Sequence, residues 1–192
     1  MKKLVYLTVI MAISCLTVNS QTEKTEMKPA LLVIDVQQAF LPYMSKADQD
    51  MAIEMMNWAI QAFRKFNLPV IRVYHQSDEW GVKPGAPEFD FPSTLQVLDT
   101  DAKIIKTYAS AFTKTDLDKV LKEKGITTLF LCGLSSTGCV LATYFDAGSH
   151  DYKAFMLKDA MIGPKESYTD AVEDIFSAID LETAGYMLDI TR

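Results

Sequence analysis

The chain has 192 residues, 49% of them hydrophobic and 23% charged, with 8 Gly, 7 Pro and a formal charge of −6. That length suits one domain that buries its own core, and the ordinary composition excludes collagen-like, disordered and coiled-coil chains. The acidic balance argues against nucleic-acid binding and against a broad anionic-membrane footprint, and three cysteines are too few for a disulfide scaffold.

The chain opens with a leader pattern. Lys2 and Lys3 precede an uncharged run over 4–18, and a polar stretch follows. A basic start, an apolar run of about 15 residues and a small residue (Ser20) before Gln21 read as a secretory signal peptide; a membrane-spanning helix needs about 20 apolar residues. A buried N-terminal helix or strand is the alternative reading. A lipid anchor at Cys15 is another, because Ala12-Ile13-Ser14-Cys15 weakly resembles a lipobox that lacks its usual Leu. The expected organisation is a signal peptide over 1–20, a linker over 21–29 and one domain over 30–192, in an exported protein that is periplasmic or secreted. Loss of Lys2 and Lys3 leaves the remainder still more acidic, and loss of Cys15 leaves Cys132 and Cys139.

From residue 30 onward short apolar runs alternate with amphipathic stretches, the signature of βαβ units. The first predicted strand covers 30–36 and ends beside an acid, Asp35. A helix follows over 47–66, then strands over 70–74 and 102–106. The segment between them, 76–101, is a long loop rich in Gly, Pro and aromatics; such loops in compact domains are usually functional. A helix over 114–124 is closed by Gly125, a residue suited to a left-handed cap. A strand over 127–132, a helix over 139–148, a strand over 154–157, a helix over 167–179 and a last strand over 185–190 complete the pattern. Strands separated by single helices imply a doubly wound α/β fold, a mostly parallel sheet with helices on both faces. Its ligands sit beyond the carboxyl ends of the strands, where the strand order switches.

Three reactive side chains fall at that rim: Asp35, Lys106 and Cys139. Each has a bland alternative, as a turn former, a solvated charge and a core thiol respectively. Cys139 follows the loop Gly133-Leu134-Ser135-Ser136-Thr137-Gly138 and opens a predicted helix, a position that favours a thiolate and offers free amide N–H groups. Lys106 would lower the thiol pKa further, and Asp35 would take its proton. Cys132 lies inside a strand and reads as core. No Gly-x-Gly-x-x-Gly or P-loop spacing follows any strand, which disfavours a nucleotide-binding enzyme.

The loop ending in Cys139-Val140, together with Asp35-Val36-Gln37-Gln38-Ala39-Phe40 and Lys106-Thr107-Tyr108-Ala109-Ser110-Ala111-Phe112, resembles the isochorismatase-like cysteine hydrolases. That superfamily includes nicotinamidases and carbamoyl-sarcosine, ureidoacrylate and biuret hydrolases. The resemblance runs from about residue 30 to near the C-terminus and takes in Asp159-Ala160. It implies a three-layer α/β/α sandwich of Rossmann-like type, with a parallel sheet of about six strands. Asp35, Lys106 and Cys139 are the implied catalytic triad. A cis peptide is implied between Leu134 and Ser135, and the N–H groups of Ser135 and Cys139 are the implied oxyanion hole. Ser136 stands where the family usually has Thr, which keeps the hydroxyl. Isochorismatase itself cleaves a vinyl ether without a nucleophilic Cys, so Cys139 points to the amidase side.

The resemblance thus implies a hydrolase that cleaves a C–N bond of a small amide, ureide or carbamoyl compound through a thioester. A catalytically idle domain that binds a small ligand or a protein partner is the alternative. Metal-dependent nicotinamidases hold their metal with an Asp and several His. This chain has only His75 and His150, and only His75, with Asp78 nearby, lies in the right region. The expectation is no metal and no cofactor. His75 either faces the substrate or makes a structural hydrogen bond, and Phe40 either packs on the substrate or belongs to the core. Gln37 matches a family position near the site. Trp80, Phe89 and Tyr108 are candidate pocket walls, and Glu88 and Asp90 are expected to be solvated. Family members commonly assemble, so a homo-oligomer is expected.

Overall fold

The structure, a computed structural model, describes residues 26–190; the expected leader and most of the linker lie outside them. Five strands form one parallel sheet: β1 (Pro29–Ile34), β2 (Val70–His75), β3 (Ala102–Lys106), β4 (Thr128–Leu134) and β5 (Lys153–Ile162), in the order β3-β2-β1-β4-β5. The chain starts at the centre, winds to one edge and returns to wind to the other. The order therefore switches between β1 and β4, and the crevice beyond their carboxyl ends is the expected ligand position.

Side chains of the central strands alternate between two cores. Leu31, Val33, Phe130 and Cys132 face helices α1 (Lys46–Lys65) and α5 (Leu181–Asp189) through Met56, Ile60, Phe63, Ala184 and Leu188. Leu32, Ile34, Leu129 and Leu131 face α2 (Leu117–Glu123), α3 (Leu141–Ser149) and α4 (Glu166–Ile175) through Leu117, Leu121, Ala147 and Val172. All six residues of β1 are buried, as befits a central strand covered on both faces. This is the expected three-layer α/β/α sandwich.

One expected strand is a helix instead. Residues 185–189 belong to α5 and Ile190 is its C-cap, so the sheet has five strands among the described residues, where the sequence suggested about six. Leu181, Ala184 and Leu188 recur at helical spacing onto the α1 core, and the Asp180 carboxylate caps the first turn by accepting from Thr183 N at 2.7 Å. β5 is longer than expected because it bulges: Leu131 pairs with Met156 but Gly133 with Met161. Within the bulge Asp159 is left-handed, φ 59°, and its N–H donates to Glu173 Oε1 at 2.8 Å.

The loop over 76–101 is held by core packing. Phe89 and Phe91 are buried and stack on Tyr74 with centroids 5.2 and 4.2 Å away. Phe89 is thus a core residue and not a pocket wall. Each such ring buried contributes about 1.5–3 kcal/mol. The far end of the loop is tied down by Arg72, which donates to the Asp99 and Asp101 carbonyls at 2.9 and 3.1 Å, and by Arg64, bidentate on Asp101 at 3.0 and 2.7 Å.

Two glycines are dictated by backbone. Gly125, φ 64°, closes α2 as expected. Gly133, φ 115°, brings β4 so close to β1 that an added Cβ would lie 2.1 Å from Ile34 O. Gly133→Ala is expected to lower stability by more than about 3 kcal/mol in urea unfolding; a loss below about 1 kcal/mol would contradict this approach. Asp180→Ala is expected to lower the unfolding midpoint in the same experiment by loss of the α5 cap.

Candidate active site

Asp35 follows β1 directly in a left-handed conformation, φ 52°, with its N–H held by Val73 O at 2.8 Å. A non-glycine residue in this region is uncommon and concentrates at functional sites. Lys106 ends β3, and His75 ends β2 as its register partner, so the two side chains start as neighbours across the sheet. Cys139 lies on a wide helical turn, Ser136–Val140, between β4 and α3. The peptide Leu134–Ser135 is cis, as the sequence resemblance implied.

The structure brings these residues together. The Lys106 ammonium pairs with Asp35 Oδ2 at 2.6 Å, and both side chains are almost fully buried. Nζ also lies 3.1 Å from His75 Nδ1 and donates to Tyr108 O at 3.1 Å. One donor atom from each of Asp35, His75 and Cys139 lies within 4.8 Å of the other two. That is a trio a metal ion could bridge, but the ammonium of Lys106 already serves as the cation for two of its members. Neither Asp35 oxygen accepts a well-aligned hydrogen bond. Oδ2 has its ion pair, Oδ1 is a buried acceptor, and one of the two lies within 4.8 Å of the Cys139 thiol.

Burial raises the Asp35 pKa above the ordinary carboxylate range, and Lys106 opposes that shift. Burial first, and Asp35 second, push the Cys139 thiol up to about 12 against the pull of Lys106. The dry surroundings and the Asp35 charge thus oppose the thiolate that a place beside Lys106 favours. Burial and Lys106 together hold the His75 imidazole down to about 4, hence neutral. Cys132 is core as expected: its thiol lies against Leu32 O at 3.5 Å, and burial drives its pKa up.

The turn that carries Cys139 is anchored from three sides. Ser135 O accepts from Gly138 N and Val140 N at 2.9 and 3.2 Å, and Cys139 O accepts from the Thr143 hydroxyl at 2.7 Å. Ser136 is buried, with its hydroxyl 3.1 Å from Thr169 Oγ1, which in turn donates to Asp48 Oδ2 at 3.3 Å. With the Thr169 proton committed to Asp48, Ser136 is the donor to Thr169, and the chain of hydroxyls ties the turn to α4 and α1. The amides of Ser135 and Cys139, implied as the oxyanion hole, belong to this turn and the residue leading into it.

The candidate pocket residues divide. Phe40 is buried and packs edge-on against both His75 and Trp80, centroids 5.9 and 5.8 Å away. Trp80 is 64% exposed and, with Ala39, Tyr43, Gly81, Val82, Ala86 and Glu88, lines a cavity of about 600 Å³. Ring contacts run from its Trp80 wall through Phe40 to His75. Tyr43 is a wall that the sequence reading missed; its one signal is its place just after Phe40. Gln37, expected near the substrate, is fully buried. Its amide is spent on His75, accepting from His75 N at 2.6 Å and donating to His75 O at 3.1 Å. Tyr108 contributes its carbonyl to Lys106, while its half-exposed ring carries a hydroxyl that accepts from Lys114 Nζ at 2.8 Å. Glu88 and Asp90 are exposed, as expected.

Comparison with known proteins agrees with this geometry. The isochorismatase family protein YddQ of Bacillus subtilis is 29% identical over 139 residues, covering 70% of this chain and 77% of that protein. Maleamate amidohydrolase of Pseudomonas putida is 36% identical over 83 residues, 43% of this chain and 38% of that protein. The crystal structure of N-carbamoylsarcosine amidase from Thermoplasma acidophilum superposes with a TM-score of 0.68 at 27% identity, covering 80% of this chain and 95% of that one. The model of the isochorismatase domain matches residues 29–182, most of the chain, and the chain belongs to the isochorismatase family of hydrolases.

Proposed function

We propose that the chain is a cysteine hydrolase that cleaves a C–N bond of a small amide, ureide or carbamoyl compound, with Cys139 as nucleophile. The observation that carries this reading is the buried Asp35 carboxylate, paired with Lys106 and with an oxygen within 4.8 Å of the Cys139 thiol. The amidase and amidohydrolase among its relatives support the bond type.

Asp35 accepts the Cys139 proton as Sγ attacks the carbonyl carbon, and a dry carboxylate is a stronger base than a solvated one. The negative charge moves from the carboxylate to the carbonyl oxygen, where the Ser135 and Cys139 amides receive it. Protonated Asp35 gives its proton to the departing nitrogen as the C–N bond breaks, which leaves a thioester and a free carboxylate. A water molecule then attacks the thioester carbon while Asp35 takes one of its protons. The departing thiolate recovers that proton from Asp35, and the acid leaves. Throughout, Lys106 is a fixed cation that stabilises whichever of the two groups is charged.

A screen for ammonia or amine release over small amides, ureides and carbamoyl compounds tests the activity. Cys139→Ala and Asp35→Asn are each expected to lower turnover by about a thousandfold or more; undiminished turnover in Cys139→Ala would overturn the reading. On the acid side, kcat/KM is expected to fall as Asp35 is protonated. Because burial raises the carboxyl pKa, that limb lies above the ordinary value of about 4. Without substrate, alkylation of Cys139 by iodoacetamide is expected to keep rising beyond pH 9, with no plateau near neutrality.

We also propose that the protein is exported, supported by the basic, apolar and polar succession over residues 1–20. Mass analysis of the protein from its native cells is expected to show a mature chain beginning at Gln21, and an intact N-terminus would contradict export by this leader.

A further inference from the structure

Asp35, His75 and Cys139 bring a carboxylate, an imidazole and a thiol within 4.8 Å of one another. In composition this is a Cys–His–Asp triad, where the imidazole takes the thiol proton and the carboxylate orients the ring. The hydrogen bonds run another way.

An ammonium group has donors and no acceptor. Since Lys106 Nζ lies 3.1 Å from His75 Nδ1, that nitrogen presents a lone pair, and the proton of the neutral ring is on Nε2. A doubly protonated ring would instead set two cations in contact in a buried site. Lys106 Nζ is paired with Asp35 Oδ2 and lies within hydrogen-bond distance of His75 Nδ1 and Tyr108 O. Asp35 is therefore engaged by the lysine and not by the imidazole, and Nδ1 is already occupied.

His75 is itself held firmly. Its N–H and C=O are both bound by the Gln37 amide, its strand register sets it beside Lys106, and the edge of Phe40 packs against its ring. The charged or titratable groups facing it are Lys106 from β3, Asp35 from the end of β1 and Cys139 from the turn after β4. Burial and the ammonium both disfavour a charged ring.

We propose that His75 is a neutral, Nε2-protonated positioning residue that holds the Lys106 ammonium through Nδ1, and that it is not the base that deprotonates Cys139. The ring fixes the cation, and the carboxylate alone moves the proton. This assignment rests on the hydrolase reading only for its kinetic test.

The direct test is nitrogen NMR of the full chain labelled at histidine. The chain has two histidines, His75 and His150, so a spectrum of His75→Asn assigns the signals. His75 is expected to show a protonated Nε2 and a lone-pair Nδ1, unchanged from about pH 8 down to about pH 5. A protonated Nδ1, or a ring that titrates between about pH 6 and pH 7.5, would overturn the assignment. The kinetic test compares His75→Leu with His75→Asn on a substrate found by the release screen. The carboxamide oxygen of Asn is an acceptor for Lys106 but no base. His75→Leu is expected to lower kcat by about tenfold or more, and His75→Asn to recover most of that loss. Equal, near-complete loss in both would make His75 the base. The NMR result needs no turnover, so a wrong tautomer and an absent hydrolase activity are separate outcomes.

Discussion

Asp35 and Lys106 are buried together at the carboxyl edge of the sheet, 2.6 Å apart. Taking two charges out of water costs several kcal/mol per ion, and only close pairing with further hydrogen bonds offsets that cost. His75 Nδ1 and Tyr108 O satisfy the rest of the ammonium, but Asp35 Oδ1 is left with no partner. Such an unpartnered oxygen is unfavourable in a folded protein, and here its carboxylate lies close to the Cys139 thiol. The stability of the pair and its reactivity have the same origin. Dryness strengthens the ion pair, raises the basicity of the carboxylate and disfavours the thiolate.

The sheet exists around this pair in a concrete sense. Asp35 leaves β1 at the switch in strand order, Lys106 comes from β3 two strands away, and His75 on β2 spans the gap between them. On the other side of the switch β4 must come close to β1, which Gly133 permits, before the cis peptide and wide turn redirect the chain to Cys139. The Ser136–Thr169–Asp48 hydroxyl chain then fixes that turn against α4 and α1. A turn with no regular helical geometry is thus braced on several sides and holds the thiol in place.

Much of this was legible in the sequence. The buried strand ending at Asp35, Lys106 at the end of β3 and the loop before Cys139 follow from apolar runs broken by reactive residues at one rim. What was not legible depended on partners distant in sequence. Segment 185–190 is apolar enough for a strand; only the α1 surface that receives Ala184 and Leu188, with the Asp180 cap, makes it a helix. The family resemblance places Gln37 near the site, yet its amide clamps His75, 38 residues away. The ionisation of Cys139 is the clearest case. A position near a helix start beside a lysine suggests a thiolate, and only the packing reveals the burial and the Asp35 charge that oppose it.

The central claim is that Cys139 carries the acyl group between two proton transfers by Asp35. Rapid acid quenching during turnover, followed by peptide mass analysis, tests it directly. An acyl group of the substrate attached to the peptide that contains Cys139, accumulating within the first turnover and absent from Cys132, is the predicted result. Steady turnover with no adduct at any quench time, or an adduct on another residue, would contradict it.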